Sequence, residues 1–401
     1  VSSRNVSPID VARVRAGIPA LAETIYLNTG TFGPLPRVVA DEVRCVYGQI
    51  ERCGTFSPAI FQELELEGLE AVRHKVATLM HAAPDEIAFT HNVTDGINVV
   101  LHGLDWAPGD RVIISDQEHP AGTIPWLALA ERRGVLVDFL PVGHDPDAVV
   151  ARFGALVEGE PLPRLACLSH VSCLSGTRLP VARLCAVARA AGVLTLIDGA
   201  HAEGQFPVDV PQIGPDFYAA CGHKWLLGPQ GTGMLYVRRE RLADLRPAWL
   251  GWGVHKPLDR ATMRYTLEPT AARFEQSTQP WPLYLALGRA VDHIQEIGPS
   301  RIQARVRRLV AHFRERLSSI PGVTFYTPED PDISAGLLTV ALPGWHAEAL
   351  SQHLWQTRRI LTNFIGEFDA LRFSVAFFNT QEELDVAVEA LVEAARAPAQ
   401  G

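Results

Sequence analysis

Several things are scarce or missing in this chain, and each absence excludes something. Its 401 residues hold six cysteines, at 45, 53, 167, 173, 185 and 221, with no CxxC pair among them. That scatter argues against a zinc site or a disulfide framework, so no metal is expected and a reducing, cytoplasmic setting is. No apolar run is long enough to span a bilayer, because charges or Pro/Gly interrupt every one. The stretch "VSSRNVSPIDVARVRAGIP" has no continuous apolar core and does not read as a signal peptide. Positive charge is in deficit: 36 Lys and Arg against 45 Asp and Glu leave a net charge of −9. An acidic chain is a poor partner for nucleic acid or anionic membranes. There is no GxGxxG and no GxxxxGKS, so dinucleotide and P-loop readings lack their signatures. Repeats and low-complexity tracts are absent too.

What is present is a 47% apolar chain, enough for large cores, whose length predicts two domains. From Ile87 onward short apolar runs alternate with helical stretches. Strands are expected at 86–90, 111–116, 135–142, 164–170, 193–198, 216–221 and 233–237. Helices are expected at 95–104, 124–134 and 181–192, the last closed by Gly192. Continuous apolar strands between helices mean a buried, mostly parallel sheet, whose ligands sit beyond the carboxyl ends of the strands. Polar residues gather at those ends: Thr94, Asp116 to His119, Ser169 and His170, Asp198, and Cys221 to Lys224. Past Gly298 the pattern changes to a smaller α+β unit. An amphipathic helix over 301–318 buries Ile302, Val306, Leu309, Phe313 and Leu317. Strands follow at 336–342 and 371–377, and Thr380 with Glu383 make a capping box. Residues 250–285 show no period and read as a long loop region.

The stretch "GHKWLLGPQGTGMLYV" (222–237) sets one lysine between an apolar strand and a glycine-rich turn. Alone, such a lysine is a solvated side chain. Twenty-six residues earlier, "LIDGAH" ends a strand on Asp198, which by itself reads as a helix cap or as the partner of a cationic ring. Together the two match what pyridoxal phosphate needs: a Schiff-base lysine, and a carboxylate that keeps the pyridine nitrogen protonated. In "THNVTDGIN", Asn92, Val93 and Thr94 lie between a strand and a helix, as a capped helix start or as a phosphate site. Gly228, Gly231 and Gly233 are read as tight-turn residues. Trp225 and the following leucines are expected to desolvate the lysine and lower its proton affinity.

With these motifs the chain resembles the class V aminotransferase family of fold-type I pyridoxal-phosphate enzymes, from "YLNTGTFGPLP" (26–36) to "RFSVAFFNTQEELD" (372–385). That group includes cysteine desulfurases, selenocysteine lyases, isopenicillin N epimerase and related C–S lyases. The resemblance implies a large cofactor domain (21–296) with a mostly parallel seven-stranded sheet, a small C-terminal domain (297–401), and a segment (1–20) packed on the latter. It implies Lys224 as Schiff-base lysine and proton shuttle, and Asp198 as pyridinium partner. His201 would touch the ring oxygen, and His119 would stack on the ring. Asn92, Val93, Thr94, Cys221 and His223 would hold the phosphate, with Thr278 of "RFEQSTQP" (273–280) reaching the neighbouring subunit of a homodimer. Arg372 would bind the substrate carboxylate, a task an arginine suits because its planar fork pairs two oxygens, and Asn28 would also bind the substrate.

Departures narrow the activity. Cysteine desulfurases carry a nucleophilic cysteine on a loop before the carboxylate arginine. The corresponding "RRILTNFIGEFDALRF" (358–373) has none, which disfavours a persulfide mechanism and weakens a selenocysteine-lyase role. Cys173 stands where desulfurases have asparagine, and Cys221 where a serine often binds phosphate. Both read as small buried side chains, with pocket-tuning thiols as the alternative. The leading expectation is a C–S lyase acting by β-elimination on a cysteine-derived amino acid. An epimerase, or a transaminating or decarboxylating relative, is the alternative, and a non-catalytic binding module a remote one.

Overall fold

The computed structural model describes residues 9–254 and 258–396. Seven strands form the main sheet: β1 (Ile87–Thr90), β2 (Arg111–Ser115), β3 (Leu136–Leu140), β4 (Pro163–Ser169), β5 (Leu194–Asp198), β6 (Phe217–Cys221) and β7 (Gly233–Val237). Their order is β1-β7-β6-β5-β4-β2-β3. All run the same way except β7, which is antiparallel to β1 and β6. Alternate residues of each strand enter different cores. Ile113, Ala166, Leu168, Ile197 and Tyr218 face one side. Val112, Leu165, Cys167, Leu196, Phe217 and Ala219 face the other. Burial on both faces is why these strands read as unbroken apolar runs. The edge strand β3 departs from this, with Leu136 and Phe139 exposed.

The two-residue alternation also places the polar ends. Ser169, Asp198 and Cys221 continue the face of Cys167, Leu196 and Ala219. Helix Val93–Gly103 packs on that same face through Ile97 and Val100, and its amino terminus points to the carboxyl ends of the strands. Gly96 makes the packing possible, since a Cβ there would lie 2.9 Å from the Ala219 Cβ.

A second sheet has the order β10-β11-β9-β8, from β8 (Thr324–Phe325), β9 (Leu337–Ala341), β10 (Asn363–Ile365) and β11 (Ala370–Ser374). Helices Pro299–Leu317, Ala347–Arg358 and Gln381–Arg396 cover it around Leu309, Phe313, Leu354, Phe373 and Leu391. The five apolar positions expected on 301–318 are all buried, each worth roughly 1.5–3 kcal/mol on removal from water. The capping box forms as expected: Thr380 N–H donates to Glu383 Oε2 and Glu383 N–H to Thr380 Oγ1, both at 3.2 Å. Near the amino end, Arg15 pairs with Glu383 at 2.7 Å and donates to the Phe378 carbonyl at 3.0 Å. Residues 1–8 of the segment expected to pack there lie outside the described residues.

Three expectations need correction. The span 250–285 is not all loop, because helix Trp281–Ile297 begins inside it and Ala271–Phe274 forms a 3-10 turn. That helix packs a face through Trp281, Tyr284, Leu287, Gly288, Val291 and Ile294 against Val39, Val46 and Val72, and only its first turn, which carries Pro282, falls within 250–285. The helix expected at 124–134 starts at Pro120, capped by His119. Of the three turn glycines only Gly231 has a positive φ (81°), while Leu227 takes the left-handed conformation at φ 58°. Gly233 serves close approach instead: a Cβ there would lie 2.9 Å from the Asn92 backbone nitrogen.

A buried ion pair fixes the segment before helix Trp281–Ile297. Arg73 bonds both oxygens of Glu275, the second at 3.1 Å, and Glu275 also accepts the Phe89 N–H at 2.7 Å. Breaking such a pair strands a buried charge at a cost of about 3 kcal/mol or more. Arg73→Met is therefore expected to lower the urea midpoint of unfolding substantially; an unchanged midpoint would show the pair contributes nothing.

Candidate active site

A cavity of about 530 Å³ opens at the carboxyl ends of the strands. Its walls bring together Asn92, Val93, Thr94, His119, Asp198, His201, Cys221, His223, Lys224 and Arg372. Ten of the twelve residues singled out from the sequence thus meet in one place. Asn28 and Thr278 are the two that do not line it. Asn28 sits one step behind, where its side-chain oxygen accepts the Thr31 hydroxyl at 2.7 Å. Thr278 is exposed on the anchored stretch after Glu275.

Lys224 follows β6 in a turn closed by Leu227 N–H to the Lys224 carbonyl at 3.1 Å and Gly228 N–H to the Gly222 carbonyl at 2.7 Å. The "TGTFG" stretch lies directly on this turn. Gly33 N–H donates to the His223 carbonyl at 2.7 Å, and a Cβ at Gly33 would fall 2.1 Å from the Lys224 carbonyl oxygen. No side chain fits there. The amine reaches His201 Nε2 at 3.3 Å, and Trp225 Nε1 bonds His201 Nδ1 at 3.2 Å. Trp225, Leu226 and Leu227 are buried, so the surroundings of Lys224 are packed as expected.

Asp198 is buried and accepts one backbone N–H, from Ala200 at 2.8 Å. Burial raises its pKa; the Ala200 bond and the Lys224 charge oppose that rise. Its carboxylate has capacity left for a cationic donor. The histidines shift the other way. Burial, with Lys224 and Arg372 nearby, lowers His119 to about 4, and burial with Lys224 lowers His223 to about 4. His201 is pushed well below its usual value by burial first, then Lys224 and Arg372. These imidazoles are neutral at pH 7.

An anion site opens beside them. Asn92 caps its helix by accepting the Asp95 N–H at 2.9 Å, which leaves the first-turn N–H groups of Val93 and Thr94 to a ligand. The buried His223 Nδ1 has no protein partner. Across the cavity, Arg372 is buried in β11 and donates to the Cys173 carbonyl at 2.9 Å and the Thr31 hydroxyl at 3.0 Å. Its Nε is unpartnered, and no carboxylate of a described residue pairs with it. A buried guanidinium without an anion is costly unless a ligand supplies one.

Two residues around the site, Thr31 and Asn363, escaped the sequence reading, and a third, Glu118, was marked only as part of the polar cluster 116–119. Thr31 and Asn363 join the Arg372 network, with Asn363 donating to Thr31 at 3.1 Å from the position opposite Arg372 across β10 and β11. The signal for Thr31 lay in "LNTGTFG", but nothing local tied it to residue 372. Glu118 is buried next to His119 and accepts from Ser115 Oγ at 2.6 Å, Ser169 N at 2.8 Å and Ser169 Oγ at 2.5 Å. Burial and then Asp198 raise it to about 7 against these bonds. It ties the ends of β2 and β4 together and so sets the turn that carries His119.

A mostly parallel sheet with a lysine and an aspartate in one cavity at its carboxyl ends, closed by an arginine from a second sheet, defines a fold-type I enzyme. The chain belongs to the class-V aminotransferase family, whose pattern matches residues 25–386. It is 36% identical over 379 residues to isopenicillin N epimerase of Streptomyces clavuligerus, covering 92% of this chain and 94% of that one. A probable cysteine desulfurase of Methanothermobacter thermautotrophicus is 32% identical over 400 residues, covering 95% and 97%. Among solved structures, the cystine C–S lyase C-DES in complex with its product cysteine persulfide superposes with a TM-score of 0.87 at 30% identity, covering 94% of this chain and 99% of that one. The apo cysteine desulfurase of Thermococcus onnurineus gives 0.88 at 25% identity, covering 98% and 100%. A C-DES mutant at 29% identity and 0.87 holds glycine covalently linked to its PLP cofactor, covering 94% and 99%. No helix among the described residues is long and apolar enough to cross a membrane.

The thiols in the cavity wall are unreactive by environment. Burial first of all pushes Cys173 to about 12 and Cys221 to about 11. Cys45 and Cys53 are exposed. Iodoacetamide at pH 8 should alkylate Cys45 and Cys53 in the folded protein and spare Cys173 and Cys221 until it is unfolded. Rapid modification of Cys173 would contradict the assignment of a protonated thiol.

Proposed function

We propose that this chain is a pyridoxal-phosphate enzyme that removes the Cα proton of an α-amino acid, with Lys224 as the base. The observation that carries the reading is the joint placement of Lys224 and Asp198 in one cavity with the carboxylate-free Arg372 on another wall. The residues fit the cofactor: open N–H groups of Val93 and Thr94 and the unpartnered His223 Nδ1 suit a phosphate, and the buried Asp198 suits a pyridinium. Bound there, pyridoxal phosphate supplies an aldehyde carbon for the Lys224 amine and an electron-withdrawing ring that acidifies Cα. Asp198 holds the ring nitrogen protonated. His201 would donate to the ring oxygen, and His119, exposed at the cavity mouth, would lie against the ring. Asn92 and Cys221 shape the phosphate end. Arg372, steadied by Thr31 and Asn363, takes the substrate carboxylate, with Asn28 supporting Thr31 from behind. Thr278 serves the phosphate site of a second subunit in a homodimer, which agrees with its exposure away from its own cavity. The chain divides into a cofactor-binding domain at 21–296 and a small domain at 297–401, with 1–20 packed on the latter.

The reaction assigned is β-elimination of a thiol from a cysteine-derived amino acid. The cystine C–S lyase at 30% identity supports it. Residues 358–373 hold no cysteine to accept sulfur from a substrate, so the leaving group departs to solvent. Epimerisation is the second reading, favoured by the 36% identity to isopenicillin N epimerase. The two readings share the proton abstraction and differ only in what the carbanion does next.

Incubation with S-substituted cysteines should yield pyruvate, ammonia and thiol. A change of enantiomer ratio without pyruvate would replace elimination by epimerisation, and a protein that stays colourless after reconstitution with pyridoxal phosphate would sink both. Lys224→Ala should abolish the visible absorbance of the bound cofactor. Arg372→Ala should lower kcat/KM for the amino acid by about 100-fold, the loss of two charge-assisted hydrogen bonds, with cofactor affinity little changed. Equal losses in both would count against the carboxylate role.

A further inference from the structure

We propose that Trp225 is a positioning residue that holds His201 as its Nε2–H tautomer, so that His201 meets Lys224 and the cofactor ring oxygen only as a hydrogen-bond donor. The part concerning the cofactor rests on the functional reading above; the part concerning the tautomer does not. An indole N–H donates and never accepts. Trp225 Nε1 lies 3.2 Å from His201 Nδ1, so Nδ1 must offer a lone pair. His201 is buried and uncharged, and a neutral imidazole carries one N–H. That hydrogen is therefore on Nε2, the atom 3.3 Å from Lys224 Nζ.

The direction of the second bond follows. An ammonium has no lone pair, so this bond belongs to the neutral Lys224 amine: there His201 donates and the Lys224 nitrogen accepts, through the same lone pair that attacks an aldehyde carbon. The contact thus orients the amine as a nucleophile. Once that lone pair is committed, the His201 N–H is free for the ring oxygen, where a donor steadies negative charge and an acceptor would repel it. The same reasoning applies at His119, whose Nδ1 accepts the Ala121 N–H at 3.1 Å. Its free hydrogen is also on Nε2, so neither of these two imidazoles offers a lone pair toward the cavity.

The imidazole has no easy route to the other tautomer. Gln205 donates to the His201 carbonyl, and its own oxygen accepts the Gly336 N–H at 2.7 Å, which pins the backbone of residue 201 to the second sheet. Trp225 is itself buried at 2% exposure. A 180° ring flip of His201 would place carbon against the indole N–H and leave that buried donor unpaired.

The 401-residue chain labelled with [15N]histidine tests this, with and without pyridoxal phosphate. The His201 signal, identified by its loss in His201→Gln, should show protonated Nε2 and unprotonated Nδ1 in both states. Trp225→Phe should give a mixture of tautomers and slow condensation of pyridoxal phosphate with Lys224, followed by absorbance, about 3- to 10-fold. His201→Leu should slow it at least as much. His201→Gln should recover part of the loss, because its amide oxygen can accept from Trp225 while its N–H donates to Lys224. Protonated Nδ1 in the wild-type protein, or an unchanged tautomer and rate in Trp225→Phe, would overturn the proposal. If wild-type protein fails to condense with the cofactor, the functional reading fails, and the histidine spectrum still decides the tautomer.

Discussion

The backbone around Lys224 is the constraint on which the rest of the site depends. It is clasped from two sides: β6 delivers the chain, and the loop through Gly33 lies close enough to its carbonyl oxygen to exclude any Cβ. That contact fixes where the amine stands relative to Asp198 on β5, the neighbouring parallel strand. The registry of β5 with β6, in which Asp198 pairs with Ala219, sets the sideways distance. The two-residue alternation puts both polar ends on the same face of the sheet. A slip of one residue in β5 would turn Asp198 into the opposite core, and one in β6 would do the same to Cys221.

Around this pair the electrostatics are one-sided. Two cationic side chains, Lys224 and Arg372, share a cavity whose only fully buried carboxylate on the wall is Asp198. The histidines respond by staying neutral, since each is both desolvated and close to positive charge. Neutral imidazoles serve as oriented hydrogen-bond groups rather than as extra cations. Positive charge is reserved for the places where a phosphate and a carboxylate are expected, and a dianionic cofactor with an amino-acid substrate restores balance. The acidic surface of the chain as a whole, at −9, does not carry into the cavity.

The second sheet supplies what the first cannot. Arg372 on β11 is steadied by Thr31, which comes from near the amino end, and by Asn363 from the adjacent strand β10. Ile25–Tyr26 pairs with Ile360–Leu361, and Asn28 bridges to Ser374, so the amino-terminal segment is stitched to the small sheet before it crosses to Lys224. One short stretch, from Ile25 to Gly33, therefore sets the distance between Arg372 and Lys224.

Strands, their burial on two faces, and the Lys224–Asp198 pair were legible in the amino-acid order, because a buried strand needs an unbroken apolar run and a charged residue near its end is conspicuous; Arg372, in the middle of β11, was reached only through the family resemblance. The helix at 281–297 was not, since Pro280 and Pro282 at its start make the first turn read as a continuation of the irregular stretch before it. Thr31 and Asn363 were not legible either, and Glu118 was legible only as one of several polar residues at a strand end: their ties to Arg372 and to Ser169 cross long stretches of chain. The sequence determined which chemical groups exist and which strand ends carry them, through local periodicity alone. Only the tertiary structure decided which nitrogen of His201 faces Lys224, that Arg372 lacks a carboxylate, and that Gly33 must be bare, because those are properties of contacts between segments and no local pattern encodes them.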